Sequence, residues 1–338
     1  MIRIGSFTAP GRVFLAAMAG CTDLSFRLIA RESGAKVCFF EMVDTNALIY
    51  NNPGTFRLLK TTEEDVPLAA QLLGSDAEGF MRAAEKLITL APRISFLDIN
   101  SACPAGKALK KGAGAELLDN PELLASIVKI LSSELPVPVT VKLRIGHTKK
   151  DPALIRRTAR SCEDNGAAAL FVHGRTALQG YRGAVDYESI AEIKRSVKIP
   201  VFGSGNIFSA EDAENMFRET GCDGILVARG SLGNPWIFGE IETFLKTGEK
   251  TPAPAPAAKI AMLCKHLSYL EKYRGQPSPG MIGMQKKVFL WYAAGIPVHK
   301  DTRREIAEAE TYPVLLEILE SLRVKTANSE PFDDVQGR

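Results

Sequence analysis

Eight short apolar runs, separated by stretches of helical spacing, constrain this chain more than any other feature of its sequence. They are VFLAAMA (13–19), VCFFEMV (37–43), VPLAAQLL (66–73), ISFLDIN (94–100), VPVTVKLR (137–144), ALFVHGR (169–175), IPVFGSG (199–205) and GILVARG (224–230). Each is apolar along its length rather than alternating, the pattern of a parallel strand covered on both faces. Between them, 76–91, 120–135 and 209–220 carry apolar residues at helical spacing. The last opens with Ser209 ahead of Glu211 and Asp212, an N-cap followed by an acidic first turn. Eight such units over residues 1–245 predict an α/β chain folded as a TIM (β/α)8 barrel. A doubly wound sheet is the competing arrangement, and it requires a reversal of strand order that periodicity does not reveal.

The regularity is interrupted at 101–118, SACPAGKALKKGAGAELL, a long, Gly-rich, basic connection after the fourth run. Connections in β/α units usually take about two to six residues, and long loops at the C-terminal rim of a barrel are where chemistry is placed. A second boundary lies at TPAPAPAA (251–258), whose alternating prolines favour an extended spacer. Beyond it, 259–273, 283–295 and 311–324 read as amphipathic helices. The expected organisation is a catalytic barrel over 1–245, an α-helical domain over 255–325 and a flexible tail over 326–338.

Composition excludes several classes. At 46% hydrophobic and 24% charged residues, the chain is neither disordered nor collagenous. No apolar stretch is long enough for a membrane span or a signal peptide, so a cytoplasmic protein is expected. The six cysteines are scattered without a C-x-x-C pair, which argues against disulfides, zinc or an iron–sulfur cluster and predicts no metal. Net charge is +3, but residues 246–304 hold 11 Lys/Arg against 3 Asp/Glu, whereas 305–338 hold 3 against 8. A local surplus of that kind suits a polyanionic partner or a solvated helical face.

Polar groups converge at the predicted strand ends. Gln71 falls near the end of the third run, Asn100 ends the fourth, Lys142 lies late in the fifth, and His173 and Arg175 end the sixth. Gly203, Ser204, Gly205 and Asn206 follow the seventh, and Arg229, Gly230 and Gly233 follow the eighth. Glycines at those two adjacent ends let backbone amides approach a phosphate. Lys142 is a cation in an otherwise apolar strand, suited to an electron-rich ring such as a flavin or to a carboxylate partner. Cys38, Cys162, Cys222 and Cys264 read as inert small hydrophobes. Cys103 instead lies in the long loop near Lys107, Lys110 and Lys111. There a thiol serves as a proton donor, or as a nucleophile if the lysines favour its thiolate. Trp291 and Tyr292 read as helix-packing residues rather than base-stacking ones.

AAMAGCTDLSFR (16–27), DINSACPAGKALKKGAGAELL (98–118), VTVKLR (139–144), VHGRT (172–176) and ARGSLGNPWIF (228–238), in this order, resemble the tRNA-dihydrouridine synthase family, most closely its bacterial B-type subfamily. The resemblance runs from Ile4 through WYAAGIP (291–297). It implies a monomeric, cytoplasmic enzyme with tightly bound FMN in a TIM barrel and a helical tRNA-binding domain. NADPH reduces the flavin, which then passes hydride to the 5,6 double bond of a uridine. The resemblance makes Cys103 the proton donor. It lines the flavin with Ala17, Met18 and Ala19, sets Gln71 and Lys142 on its ring with His173 beside it, and gives the phosphate end to Ser204, Gly205, Asn206, Ala228, Arg229 and Gly230. Asn100 and Arg175 face the uracil, while Lys286, Lys287, Arg303 and Arg304 contact RNA phosphates. A stacked uridine must be extruded at a cost of about a few kcal/mol, which phosphate contacts offset.

The chain departs from the family's usual pattern at AMAG (for PMAG), NSACP (for NMGCP), GSGN (for ANGD) and at Lys286, Lys287 and Val288 (for Arg-Lys-His). Rival readings are a flavin-dependent uracil methyltransferase with Cys103 as nucleophile, a non-catalytic RNA-binding paralogue, and a flavin reductase of a small enone that leaves the basic appendage without a role.

Overall fold

The computed structural model describes residues 1–274, 279–296 and 299–327. An antiparallel hairpin, β1 (Ile2–Ile4) and β2 (Phe7–Ala9), opens the chain. The barrel strands are β3 (Val13–Leu15), β4 (Val37–Phe39), β6 (Leu68–Leu73), β7 (Ile94–Ser101), β8 (Val139–Arg144), β9 (Leu170–His173), β10 (Val201–Ser204) and β11 (Gly224–Val227). They pair in parallel in the order β4-β3-β11-β10-β9-β8-β7-β6, and β4 pairs with β6 to close the ring. Each apolar run contributes one strand, and closure without a reversal of order rules out the doubly wound alternative. The second run departs from expectation: its far end leaves β4 and forms a separate two-residue strand, β5 (Val43–Asp44), on β6.

Aromatic rings fill the barrel. Phe14, Phe39, Phe96, Phe171 and Phe202 are all buried in one cluster, with centroids 4.6 Å apart for Phe14–Phe202, 4.7 Å for Phe171–Phe202 and 5.4 Å for the edge-on Phe39–Phe171 pair. Each such ring contributes roughly 1.5–3 kcal/mol by leaving water. Because strand side chains alternate with period two, the residue two positions further on shares the same face. Gln71 therefore follows Ala69, Asp98 follows Phe96, His173 follows Phe171 and Ser204 follows Phe202. One step toward the C-terminal ends of the strands, the interior changes from aromatic to polar.

The outer helices start where the sequence places caps. Asp76 caps Ala77–Leu90, Asn120 caps Pro121–Glu134, and Ser209 accepts from the Asp212 N–H ahead of Ala210–Thr220. A buried ion cluster ties the first helix, Leu24–Glu32, to the segment entering β6: Arg27 donates through Nε and Nη2 to Asp65 Oδ2 at 2.9 and 2.7 Å, and Arg31 Nε donates to Asp65 Oδ1 at 2.8 Å.

The chain divides into two compact units, one of Met1–Ser231 with Trp236–Lys250, the other of Leu232–Pro235 with Thr251 onward. In the second unit the described helices are Pro256–Arg274, Pro279–Ala293, Lys300–Glu308 and Tyr312–Ala327. Lys300–Glu308 was not anticipated, because it buries Ile306 alone and so carries no apolar period. Leu263, Leu267, Leu270, Val288, Phe289, Tyr292 and Leu315 form the buried interior of this unit. Of the expected tail, 328–338 lies outside the described residues.

Candidate active site

Three strands carry a continuous chain of hydrogen bonds to the cysteine loop. In register, Gln71 of β6 pairs with Asp98 of β7, which pairs with Thr140 of β8. Thr140 Oγ1 donates to Asp98 Oδ1 and Gln71 Nε2 donates to Asp98 Oδ2, each at 2.7 Å. Asn100 Nδ2 donates to Gln71 Oε1 at 2.7 Å. Asn100 Oδ1 then accepts the backbone N–H groups of Ala102 at 3.0 Å and Cys103 at 2.9 Å. All four side chains are buried. Burial pushes the Asp98 carboxyl up to about 7, against the pull of Thr140, Gln71 and Lys142.

Cys103 is only 8% exposed. Its carbonyl accepts from the Ala115 N–H at 3.1 Å, which folds the loop back on itself through a short helix, Gly106–Leu109, and a 3₁₀ turn, Gly114–Asp119. The fold-back requires glycine at 114: its φ is +66°, and a Cβ there falls 2.7 Å from the Cys103 carbonyl oxygen. Arg144, at the end of β8, grips the other side of the loop, donating to Ala102 O at 2.7 Å and Thr176 O at 2.8 Å. Sequence proximity misleads here. Lys107, Lys110 and Lys111 are exposed, and Lys111 pairs with Asp44 at 3.0 Å. Lys142 and Arg144, both on β8, each feel Cys103 as a minor influence beside their own burial.

Cations gather around His173. Burial first, then Lys142, Arg144, Arg175 and Arg229, hold its pKa down at about 2, so the imidazole is neutral. Burial, reinforced by Arg144 and opposed by Asp98 and Cys103, brings the Lys142 ammonium down to about 8. Arg229 opens a 3₁₀ turn after β11, with its guanidinium 4.1 Å from the Tyr181 ring centroid and 5.6 Å from that of Phe208. Gly205 and Asn206, with φ of +130° and +50°, form a tight turn after β10, and such turns aim successive N–H groups at an anion. Gly230 is buried and Ala228 half-buried beside Arg229; after β3, Ala17 and Met18 are half-buried and Ala19 is exposed.

Two residues expected to face a substrate have their polar groups committed within the protein. Arg175 is fully buried, its guanidinium donating to the carbonyls of Arg182 and Gly183 at 3.1 Å and to Asn206 Oδ1 at 3.2 Å. Asn100 spends its amide on the chain described above. Cys38, Cys162 and Cys222 are buried, and burial pushes the first two thiols up to about 12; Cys264 is half-buried rather than a core residue.

The second unit carries its cations near its surface. Lys286 is half-buried with Nζ 3.0 Å from Ala309 O, and Lys287 lies 5.4 Å from the Trp291 ring centroid. Arg303 donates to Ala293 O at 3.1 Å and Arg304 pairs with Asp301 at 3.3 Å, both exposed. Tyr292 is buried with its hydroxyl 3.3 Å from His266 Nδ1, as the packing reading expects. Among the described residues, Glu116, Asp119 and His147 group their ligand-type atoms within 4.8 Å; His147 Nδ1 lies 2.6 Å from Asp119, the geometry of a hydrogen-bonded pair.

A profile of the dihydrouridine synthase family matches residues 14–328. The tRNA-dihydrouridine synthase B of Pseudomonas aeruginosa is 37% identical over 90% of this chain and 90% of its own length. The probable tRNA-dihydrouridine synthase 1 of Synechocystis is 37% identical over 88% of this chain and 82% of its own. The chain belongs to the dihydrouridine synthase family. Its barrel fold is shared with the old yellow enzyme of Trypanosoma cruzi, at 12% identity and a TM-score of 0.54 over 76% of this chain and 94% of that one. No described helix of this chain is long and apolar enough to cross a membrane.

Sequence reasoning missed Asp98, Thr140, Arg144 and the Arg27–Asp65 cluster. The signal for the first and third was present, since a charged residue inside an apolar run needs a buried partner.

Proposed function

We propose that this chain reduces the 5,6 double bond of uridines in tRNA to dihydrouridine, with FMN as its bound cofactor, NADPH as electron donor and Cys103 as proton source. Family membership and the names of relatives at 37% identity support the reaction and its substrate. The observation that carries the assignment of roles is the clamped cysteine loop, fixed by Asn100 of β7, in register with Lys142, and by Arg144 of β8, in register with His173.

The residues fit FMN by the chemistry of their donors: a cluster of cations around a neutral imidazole, and a two-residue turn of positive φ, complement a phosphate and an electron-rich ring. Ala17, Met18, Ala19, Gln71, Lys142 and His173 would hold the ring, and Ser204, Gly205, Asn206, Ala228, Arg229 and Gly230 the phosphate. FMN, when bound, supplies the hydride. Cys103, only 8% exposed, delivers its thiol proton to the ring carbon that does not receive the hydride. Asn100 and Arg144 hold the loop so that the thiol does not wander. Arg175, buried against Arg182, Gly183 and Asn206, ties the loop after β9 to the turn after β10.

Lys286, Lys287, Arg303 and Arg304 serve RNA phosphates, offsetting the cost of extruding the uridine. On this reading the enzyme works as a monomer, and six cysteines without a disulfide suit a reducing cytoplasm. The test is anaerobic: the holoenzyme is bleached with NADPH, then mixed with tRNA lacking dihydrouridine. Return of the oxidised flavin absorbance on adding tRNA supports the proposal; return only on admitting oxygen contradicts it.

A further inference from the structure

We propose that Asp98 is a positioning residue that sets the polarity of the Gln71–Asn100 amide chain and, through it, the backbone of Cys103. An ionised carboxylate only accepts hydrogen bonds, so Gln71 must turn Nε2 toward Asp98 Oδ2, which lies 2.7 Å away. That leaves Oε1 facing Asn100, which must present Nδ2, also at 2.7 Å. Asn100 then has only Oδ1 left for the Cys103 loop, and the groups waiting there are the N–H donors of Ala102 and Cys103. With Gln71 reversed, two acceptors would meet at Asp98; with Asn100 reversed, its NH₂ would confront two N–H groups. In a buried chain such mismatches strand polar groups without water to replace their partners. Asp98 at one end and the loop N–H groups of Ala102 and Cys103 at the other thus agree on one orientation of both amides.

Thr140 completes the device. Its hydroxyl, 2.7 Å from Asp98 Oδ1, can donate or accept, so it accommodates either an oxygen or an NH₂ group at that corner. Asp98→Asn is therefore expected to keep the relay, placing its Nδ2 on Thr140 and its Oδ1 on Gln71. Asn100→Asp is expected to break it, because an acceptor then faces each end of Gln71. The double variant Asp98→Asn, Asn100→Asp reverses the relay as a unit. The amide introduced at position 98 donates its NH₂ to Gln71 Oε1, and Gln71 Nε2 donates to the carboxylate introduced at position 100. The other oxygen of that carboxylate still accepts the loop N–H groups. No packing role makes the second substitution harmless only in the presence of the first.

The inference rests on the proposed proton-donor role of Cys103 only for its catalytic consequence, so its test reads the thiol directly. Alkylation of Cys103 by iodoacetamide in the holoenzyme is followed by peptide mass mapping at about pH 8.5, where the Asp98 carboxyl is ionised. Expected are a rate within about twofold of the parent for Asp98→Asn, a change of about tenfold or more for Asn100→Asp, and a return to within about threefold for the double variant. A double variant as perturbed as Asn100→Asp overturns the relay, as does an Asn100→Asp variant alkylated at the parental rate. Uridine reduction is measured on the same proteins. If alkylation follows the relay while the single-turnover rate of Cys103→Ser matches the parent, the relay stands and the proton-donor reading falls.

Discussion

The polar layer of the barrel and the cationic surface of the helical unit solve different physical problems. In the barrel, Asp98, Asn100, Gln71, Arg144 and Arg175 are buried and hydrogen-bonded to one another or to backbone carbonyls. In the helical unit, Arg303 and Arg304 are exposed and Lys286 and Lys287 half-buried. Buried networks fail as units, because a lost partner leaves a polar group unsatisfied. Surface cations act nearly independently, through a salt-screened attraction to phosphate. Substitutions in the barrel should therefore give large effects that depend on chemical type. Those in the helical unit should give graded effects that depend on ionic strength.

The largest effect is expected at Cys103. Cys103→Ala removes the proton without touching the cations around His173, so flavin absorbance should be retained while single-turnover uridine reduction slows by about 10²- to 10⁴-fold. Next is Asp65→Ala, which strands the fully buried Arg27 guanidinium. Removing one partner of a buried pair costs about 3–5 kcal/mol, to be read from urea unfolding; a loss under about 1 kcal/mol would place this cluster with the surface pairs.

In the helical unit, Lys286→Glu with Lys287→Glu should weaken tRNA binding and lower the slope of log affinity against log salt by about 2. The barrel's thermal unfolding should be unmoved. An unchanged slope would make this surface a solvated face and erase the contrast.

At neutral pH the smallest effect concerns His173, whose contribution shows only in acid. Its folded pKa of about 2 lies below that of an unfolded histidine, so between these values the unfolded state binds the extra proton. Stability contributed by the neutral form is present above about pH 6.5 and is lost as pH falls. His173→Gln should reduce the acid-side slope by up to about 1.4 kcal/mol per pH unit, measured at matched flavin occupancy.

Much of the barrel was legible because burial on both faces writes itself as uninterrupted Val, Ile, Phe and Leu. The polar residues at strand ends were legible too, since Gln71, Lys142 and His173 interrupt those runs. What spacing does not encode is which way an amide points, so Gln71 and Asn100 were found while the carboxylate that orients them was passed over. Adjacency along the chain also misdirected: three loop lysines stood beside Cys103 in sequence, yet they are exposed, and Arg144 of β8 is the cation that holds the loop, through the Ala102 carbonyl. Lys300–Glu308 went unseen because one buried isoleucine makes no period.

The most direct test is mass analysis of nucleosides from unmodified tRNA incubated with the FMN-loaded protein and NADPH. The account predicts a uridine heavier by one molecule of hydrogen, formed by the parent and only slowly by Cys103→Ala. Unmodified tRNA, or a uridine carrying a methyl group instead, would contradict it.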